Sequence, residues 1–456
     1  MVEIGSRLEP FVDDHLIERM DGLSLRLHSP APQGTVLTLD RPWEGYLCGY
    51  PAIVPTEGGQ RIYYRGWPDE QGTAYVCVAD SPDGIEWTRP SLGLIEFEGS
   101  AHNNIIASDA TLAGVRGAHN FAPVLDTRPG VPEQERYKAL TYGPDVGERL
   151  HSLSAYASAD GIHWHAMNDG EPVFRAKDPK VMLDTQNVGF WDEPAGEYRL
   201  YGRNWIGPVR HIFVSRSDDF ITWSEPESLE FGDAPLEHLY TNSTVPYERA
   251  PHILMAFPKR FVPYRTMLED WPASGLSEAT FMTSRDGLHW HRHLEAFIRP
   301  GLGRERWTER SYMVTRGLVA TSPEEISLYW MEDYRRPAPR IVRGTVRTDG
   351  FVSVNAPHSG GELVTKPLVF AGEGLVLNAS TSAVGSIRAE MQDEAGRPLP
   401  GLELGKCAEI FGDEIEMPVP WPGAGGMKAW AGTPVRLRLV MRDADLYSLR
   451  FTPAEG

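Results

Sequence analysis

The chain has 456 residues, with 44 Lys plus Arg against 63 Asp plus Glu and a formal net charge of −19. A surface this acidic repels phosphate backbones and anionic lipid, which argues against nucleic acid or a membrane as a partner. No apolar run approaches the roughly 20 residues of a membrane-spanning helix. Residues 1–20 lack the basic start and apolar stretch of a secretory signal, so a cytoplasmic protein is expected.

Cys48, Cys77 and Cys407 are too few and too scattered for a disulfide framework or a thiolate metal site, and are expected as packing thiols. The 45 Gly, 37 Pro and 10% aromatic residues favour turns and strands over helices.

In chain order, the first strand-like segment is FVDDHLI at 11–17, an apolar stretch carrying Asp13 and Asp14 that closes a ring or reaches its mouth. Strands then open near Tyr50 (YPAIVP), His119 (HNFAPVLD), Gln186 (QNVGFWD), Tyr240 (YTNSTVPY) and Arg310 (RSYMVTRGLV). Turn-rich segments and second strands follow, such as RIYYRGW at 61–67, RYKALTY at 136–142 and EYRLYGRNW at 197–205. A third strand in each unit runs into the phrase Ser-x-Asp-Gly-x-x-Trp: SPDGIEW at 81–87, SADGIHW at 158–164 and SRDGLHW at 284–290. SDDFITW at 217–223 is a degenerate copy with Phe220 in place of Gly, and RTDGFVSV at 347–354 is a fifth echo without the Trp.

Asp-Gly is a tight-hairpin pair, because Gly accepts positive φ and Asp bonds its own backbone. Trp87, Trp164, Trp223 and Trp290 recur at intervals that suit a four-stranded sheet module. Four strands per unit, repeated five times, predict an all-β fold with a five-bladed β-propeller over residues 1–357. On that reading the hairpin phrases lie on the rim and the opening strands line the axis. After NAPHSG the alternation of GELVTKPLVF, GLVLNAST, SIRAEMQD, PVRLRLVM and LYSLRF predicts a C-terminal antiparallel β-sandwich over 358–456.

This layout resembles the glycoside hydrolases of families 32, 43 and 68, and the hairpin phrases also resemble the Asp-boxes of sialidases. FVDDHLIE at 11–18, DTQNVGFW at 184–191, EHLYTN at 237–242 and RTDGFVSV at 347–354 resemble a family-32-like branch. The resemblance implies a glycosidase with carboxylates on three blades and the proton donor on a later one. The family-32 motifs Trp-Met-Asn-Asp-Pro-Asn-Gly, Arg-Asp-Pro and Glu-Cys are absent, so roles transfer by blade order alone.

Glycosidic cleavage needs one group to protonate the leaving oxygen and another to attack or activate water. The acids nearest the inner-strand starts are Glu44 in blade one, Asp184 in blade three, Glu237 in blade four, and Glu305 and Glu309 in blade five. Blade order makes Glu237 the general acid, Asp184 the orienting carboxylate and Glu44 the base or nucleophile, with Asp14 as substitute for Glu44. Trp43 offers a stacking platform for a sugar ring. His119, Asn120, Gln186, Asn187, Arg203, His238, Tyr240, Asn242, Arg260 and Arg310 are candidates to bind the substrate.

His289, His291 and His293 share one strand face but are expected on the surface, and no metal is predicted. Phosphate-loop, dinucleotide and serine-elbow motifs are absent, and no cofactor is predicted. Three readings stand: a hydrolase acting on a small sugar or oligosaccharide, a phosphorolytic enzyme with Arg203, Lys259, Arg260 and Arg310 holding phosphate, and a propeller that binds without turnover. The oligomeric state is left open.

Overall fold

The computed structural model describes residues 1–112, 116–146, 151–421 and 424–452. Five antiparallel sheets form the blades of a propeller. Blade one is Gly49–Thr56, Gly59–Gly66, Tyr75–Ser81 and Ile105–Ser108. Blade two is built on Ala122–Leu125, Tyr137–Tyr142 and Ser152–Ser158, and blade three on Val188–Asp192, Glu197–Ile206 and Val209–Ser217. Blade four contains Val245–Tyr247, Ala250–Ala256, Lys259–Val262, Leu276–Ser284 and Trp290–Ile298. Blade five takes Met313–Val314, Glu325–Glu332 and Arg340–Arg347, and its outer strand is Ala31–Thr38 from the N-terminal part of the chain. That strand closes the ring, a role the sequence reading had offered to 11–17.

The repeated hairpins share one set of bonds. In the first, Gly84 N donates to Ser81 Oγ at 2.8 Å, Ile85 N to Asp83 Oδ1 at 2.8 Å, and Trp87 Nε1 to Gly84 O at 3.2 Å. The turn glycines Gly84, Gly161 and Gly287 have φ of 77°, 71° and 81°, and Phe220 adopts φ 68° at the same place. These turns also join blades. Tyr63 of blade one donates to Gly161 O of blade two at 2.8 Å, and Tyr201 of blade three to Gly287 O of blade four at 3.0 Å. Where Phe220 replaces the glycine, Leu140 of the preceding blade packs in the same apolar cluster. The polar staple is exchanged for a hydrophobic one.

The C-terminal sandwich is built on two long paired strands, Gly374–Gln392 and Pro434–Thr452. The expected boundary at 357 is corrected by the N-terminal strands. Val2–Gly5 runs parallel to Leu368–Phe370, Ile17–Asp21 pairs with Gly361–Thr365, and Ser24–Leu27 pairs with Val352–Ala356. Residues 2–27 therefore belong to the sandwich and bury Ile4, Phe11 and Leu16 in its core. The two domains meet at the fully buried Asp349 of the RTDG echo. Its carboxylate accepts from Arg249 Nε at 3.0 Å, Ser448 Oγ at 2.9 Å and Asn378 Nδ2 at 3.2 Å, and also from Tyr247 Oη.

Candidate functional site

In each blade the first strand runs away from one end of the axis and the second returns to it. That end is the mouth, and the segments feeding the inner strands line it. Tyr50, Ser243 and Arg310 precede or open the inner strands of blades one, four and five with φ of 52°, 46° and 64°. Left-handed backbone costs a non-glycine residue about 1–3 kcal/mol and persists where surrounding packing imposes it, as functional sites do.

Tyr240 lies at the centre of the mouth. Its hydroxyl is 3.4 Å from that of Tyr50. Lys259 Nζ stands 4.4 Å from its ring centroid, Arg203 Cζ 5.0 Å and Arg210 Cζ 5.5 Å. Arg310 donates to Tyr334 Oη at 3.1 Å. Arg65 donates twice to Leu47 O and lies 4.9 Å from the Tyr50 ring centroid. Next to Tyr240 is a cavity of ≈ 400 Å³ lined by Arg210, Lys259, Phe261, Glu309 and Arg310, with Pro272 to Ser274 on one side.

Two carboxylates reach this region, and each is paired. Asp184, with its side chain 36% exposed, pairs with Arg203. Glu309 accepts from Arg335 Nε at 2.9 Å and from Trp271 Nε1. Arg65, Arg210, Lys259 and Arg310 have no carboxylate partner among the described residues, so the mouth is cationic within a strongly acidic chain.

The electrostatics follow from burial and these neighbours. Burial holds the Lys259 ammonium well below its ordinary range, reinforced by Arg310, Arg210 and Arg203. Lys259 is 1% exposed, and its Nζ finds no hydrogen-bond acceptor among the described residues. Burial opposes ionisation of Tyr240, but Arg203, Arg310 and the Tyr50 hydrogen bond outweigh it and draw the phenol below its ordinary value. Burial and then the charge of Tyr240 push Tyr50 well above 10, which keeps it the hydrogen-bond donor of the pair. Burial, with Arg65, Arg116 and Arg310, lowers His119 to about 2 and leaves a neutral imidazole 4.9 Å from the Trp67 ring.

Of the sequence candidates, the structure brings Asp184, Arg203, Tyr240 and Arg310 together, with His119 and His238 beside them. The other expected carboxylates lie elsewhere. Glu44 is fully buried beneath blade one, where it accepts from Tyr64 Oη at 2.6 Å, Arg89 Nε at 2.7 Å and Arg41 N at 2.9 Å. Trp43 packs in the same place, donating to Asn104 Oδ1 at 2.8 Å. Glu237 is bonded by Arg292 at 2.7 Å and Arg260 at 3.2 Å, and Arg260 also holds Glu278 at 2.6 Å. His238 and Tyr240 face the mouth, so strand alternation turns Glu237 and Leu239 the other way. Asp14 is exposed on a turn between sandwich strands.

Asn120, Gln186, Asn187 and Asn242 are buried plugs of the axis. Gln186 Nε2 donates to Pro51 O at 3.2 Å, Asn187 Nδ2 to Leu183 O at 2.8 Å, Asn242 Nδ2 to Tyr201 O at 3.2 Å and Asn120 Nδ2 to Leu183 O at 3.4 Å. Sequence reasoning missed Tyr50, Arg65 and Arg210 as mouth groups. A signal existed: RGW at 65–67 and RNW at 203–205 place Arg65 and Arg203 at matching ends of second strands.

Among the described residues no group of three or more His, Cys, Asp and Glu is arranged to hold a metal ion, and no helix is long and apolar enough to cross a membrane. No family model matches the chain, and no curated protein matches it. Among solved structures it is similar to an N-acetylgalactosamine deacetylase from F. plautii in complex with blood group B trisaccharide, at 12% identity over 73% of this chain and 97% of that one, TM-score 0.46. It is similar to a glycoside hydrolase family 43 arabinoxylan arabinofuranohydrolase from Bacillus subtilis in complex with cellotetraose, at 12% identity over 90% of this chain and 96% of that one, TM-score 0.42. A glycosyl hydrolase from Bacteroides ovatus is similar at 15% identity over 75% of this chain and 93% of that one, TM-score 0.38.

Proposed function

We propose that the mouth cleaves the glycosidic bond of an acidic sugar or short oligosaccharide. The observation that carries this reading is the set of four cations without carboxylate partners, Arg65, Arg210, Lys259 and Arg310, around the phenol of Tyr240. Arg65 and Lys259 are buried and Arg210 and Arg310 half-buried, and such a cluster of one sign calls for a negative group to offset it, which a carboxylate or sulfate on the sugar supplies. The glycosidic part of the reading is supported by the layout and hairpin phrases that resemble propeller glycosidases.

The chemistry rests on Tyr240 as nucleophile. A phenol drawn below its ordinary pKa is ionised in a larger fraction at neutral pH, and sialidases use a tyrosine in this role in place of a carboxylate. Tyr50 orients the oxygen by its hydrogen bond. Asp184, the mouth carboxyl with most access to solvent, carries the proton to the leaving oxygen. The same cations favour a second reading, in which inorganic phosphate is the acceptor and cleavage is phosphorolytic.

One screen separates these readings. Aryl glycosides with a carboxylated and a neutral sugar are compared with and without inorganic phosphate. The expected result is turnover of the acidic glycoside without phosphate, reduced at least about 100-fold in kcat by Tyr240→Phe. Equal turnover of neutral glycosides, or full activity of Tyr240→Phe, overturns the proposal. Turnover that depends on phosphate supports the phosphorolytic reading, and binding without turnover supports a non-catalytic propeller.

A further inference from the structure

The opposite end of the axis holds a second cavity, of ≈ 380 Å³, ringed by the turns between first and second strands. Its apolar wall is formed by Ile53, Leu125, Phe190, Val245, Leu318 and Ile326. The plugs Gln186 and Ser243 stand between it and the mouth: Gln186 spans to Pro51 O at 3.2 Å and Ser243 Oγ donates to Val314 O at 2.7 Å. The two cavities are separate sites.

Arg316 is the buried cation of this chamber; the exposed Arg249, paired with Asp349 at 3.0 Å, and the exposed Glu193 and Glu248 also line it. Arg316 is 8% exposed, and its backbone bonds the inner strand of blade one, with Ile53 N donating to Arg316 O at 2.7 Å. Its side chain reaches towards blade three, with Cζ 5.8 Å from the Phe190 ring centroid. Its guanidinium donates no hydrogen bond and pairs with no carboxylate among the described residues, and Nε is fully shielded from solvent. Burial lowers it from its ordinary value to about 10.

Four of the five other buried arginines pair with a carboxylate, and the fifth bonds a backbone carbonyl. Arg65 bonds Leu47 O, Arg199 pairs with Asp192, Arg203 with Asp184, Arg292 with Glu237 and Arg343 with Glu325. A buried cation without a counter-charge is costly, and folds normally provide one. Here the unmatched cation opens onto a chamber of ligand size, within the usual range of roughly 300–1,000 Å³ for small-molecule pockets.

We propose that the basal chamber is a binding site for a small carboxylate with an apolar body, the carboxylate on Arg316 and the body along Ile53, Leu125, Phe190 and Val245. A bare inorganic anion would leave most of the apolar wall uncovered, and a neutral apolar ligand would leave the guanidinium unmatched. Recognition requires both halves of the molecule, as is usual where a few placed polar groups orient a ligand in an apolar pocket.

The test uses the full chain and three probes: 4-bromophenylacetate, its primary amide, and acetate. Calorimetric titration is expected to show the bromophenylacetate binding at least about tenfold more tightly than either control, by the worth of one buried charge-assisted bond or one apolar ring. Arg316→Met should lose that tenfold advantage, and Arg210→Met, which alters only the mouth, should keep it. Crystals soaked in 4-bromophenylacetate should show the bromine anomalous signal inside the ring of first-to-second-strand turns. This readout needs no variant, so a failure of Arg316→Met to fold does not shield the proposal. A bromine signal confined to the mouth, no signal at all, or unchanged affinity in folded Arg316→Met overturns it.

Discussion

Glu44 is the position where the sequence and the structure make opposite forecasts. A catalytic carboxylate exchanged for its amide costs activity and spares the fold; a buried structural carboxylate does the reverse. Glu44 has no exposed side-chain surface and accepts four hydrogen bonds, two of them from Arg89 at 2.7 and 3.0 Å, one from Tyr64 at 2.6 Å and one from Arg41 N at 2.9 Å. In Glu44→Gln the shape is retained, but an NH₂ replaces one acceptor oxygen and turns two donors against another donor. Arg89 is left partly buried with only the exposed Asp40, 3.7 Å away, as counter-charge. Breaking a buried pair in this way costs about 3–5 kcal/mol.

The measurement is denaturant unfolding followed by tryptophan fluorescence, with Trp43 and Trp87 reporting from the same cluster. Glu44→Gln should lower the unfolding free energy by that amount at unchanged slope, and Arg89→Met should be non-additive with it, as expected for residues in direct contact. A loss below about 1 kcal/mol together with a fall in turnover of about 100-fold or more would refute the structural role and restore Glu44 to the chemistry.

Other outcomes follow from the same reasoning. Because Arg310 helps to lower the Tyr240 phenol, the rate of an active preparation should rise with pH in a limb below 10, and Arg310→Met should move that limb to higher pH; an unmoved limb excludes Tyr240 as its source. Burial opposes ionisation of Glu9, but His252 and Arg285 outweigh it and hold the carboxyl at about 2 against 4.5 when unfolded. Its stabilisation is present above pH 4.5 and is lost as pH falls towards 2, a change of about 3 kcal/mol; acid unfolding of Glu9→Gln should lack this dependence, and an identical curve refutes the assignment. Glu237→Gln should change turnover by less than about threefold while lowering stability by about 1–2 kcal/mol, since Arg292 loses a counter-charge outside the mouth; a large loss of kcat would return Glu237 to the mechanism.

The propeller was legible because each blade carries its own local code. Ser, Asp and Gly fix a turn within seven residues, and the Trp that follows reports the blade even where Phe220 stands for the glycine. The split sandwich was not legible, because Val2–Gly5 and Ser24–Leu27 are short strands whose partners lie more than 300 residues away in sequence. In the mouth, strand starts located Asp184, Tyr240 and Arg310, but a search led by carboxylates passed over Arg65 and Arg210. Facing is decided by single-residue parity, and one step separates His238 in the mouth from Glu237 outside it. Glu44 looked available because its partner Arg89 lies 45 residues on, in the segment following the first hairpin.

The divided sandwich sets the timetable of folding. Residues 2–27 leave the ribosome more than 300 residues ahead of their partners at 352–370 and 448–449. Strand 31–38, which locks blade five, likewise waits for residues 340–347. During synthesis the nascent chain thus carries an unfinished ring and a half-sheet with open edges, the kind of species that aggregates or needs chaperone cover. Completion waits for these partners, and a chain cut before residue 352 loses the pairing of its residues 2–27 as well.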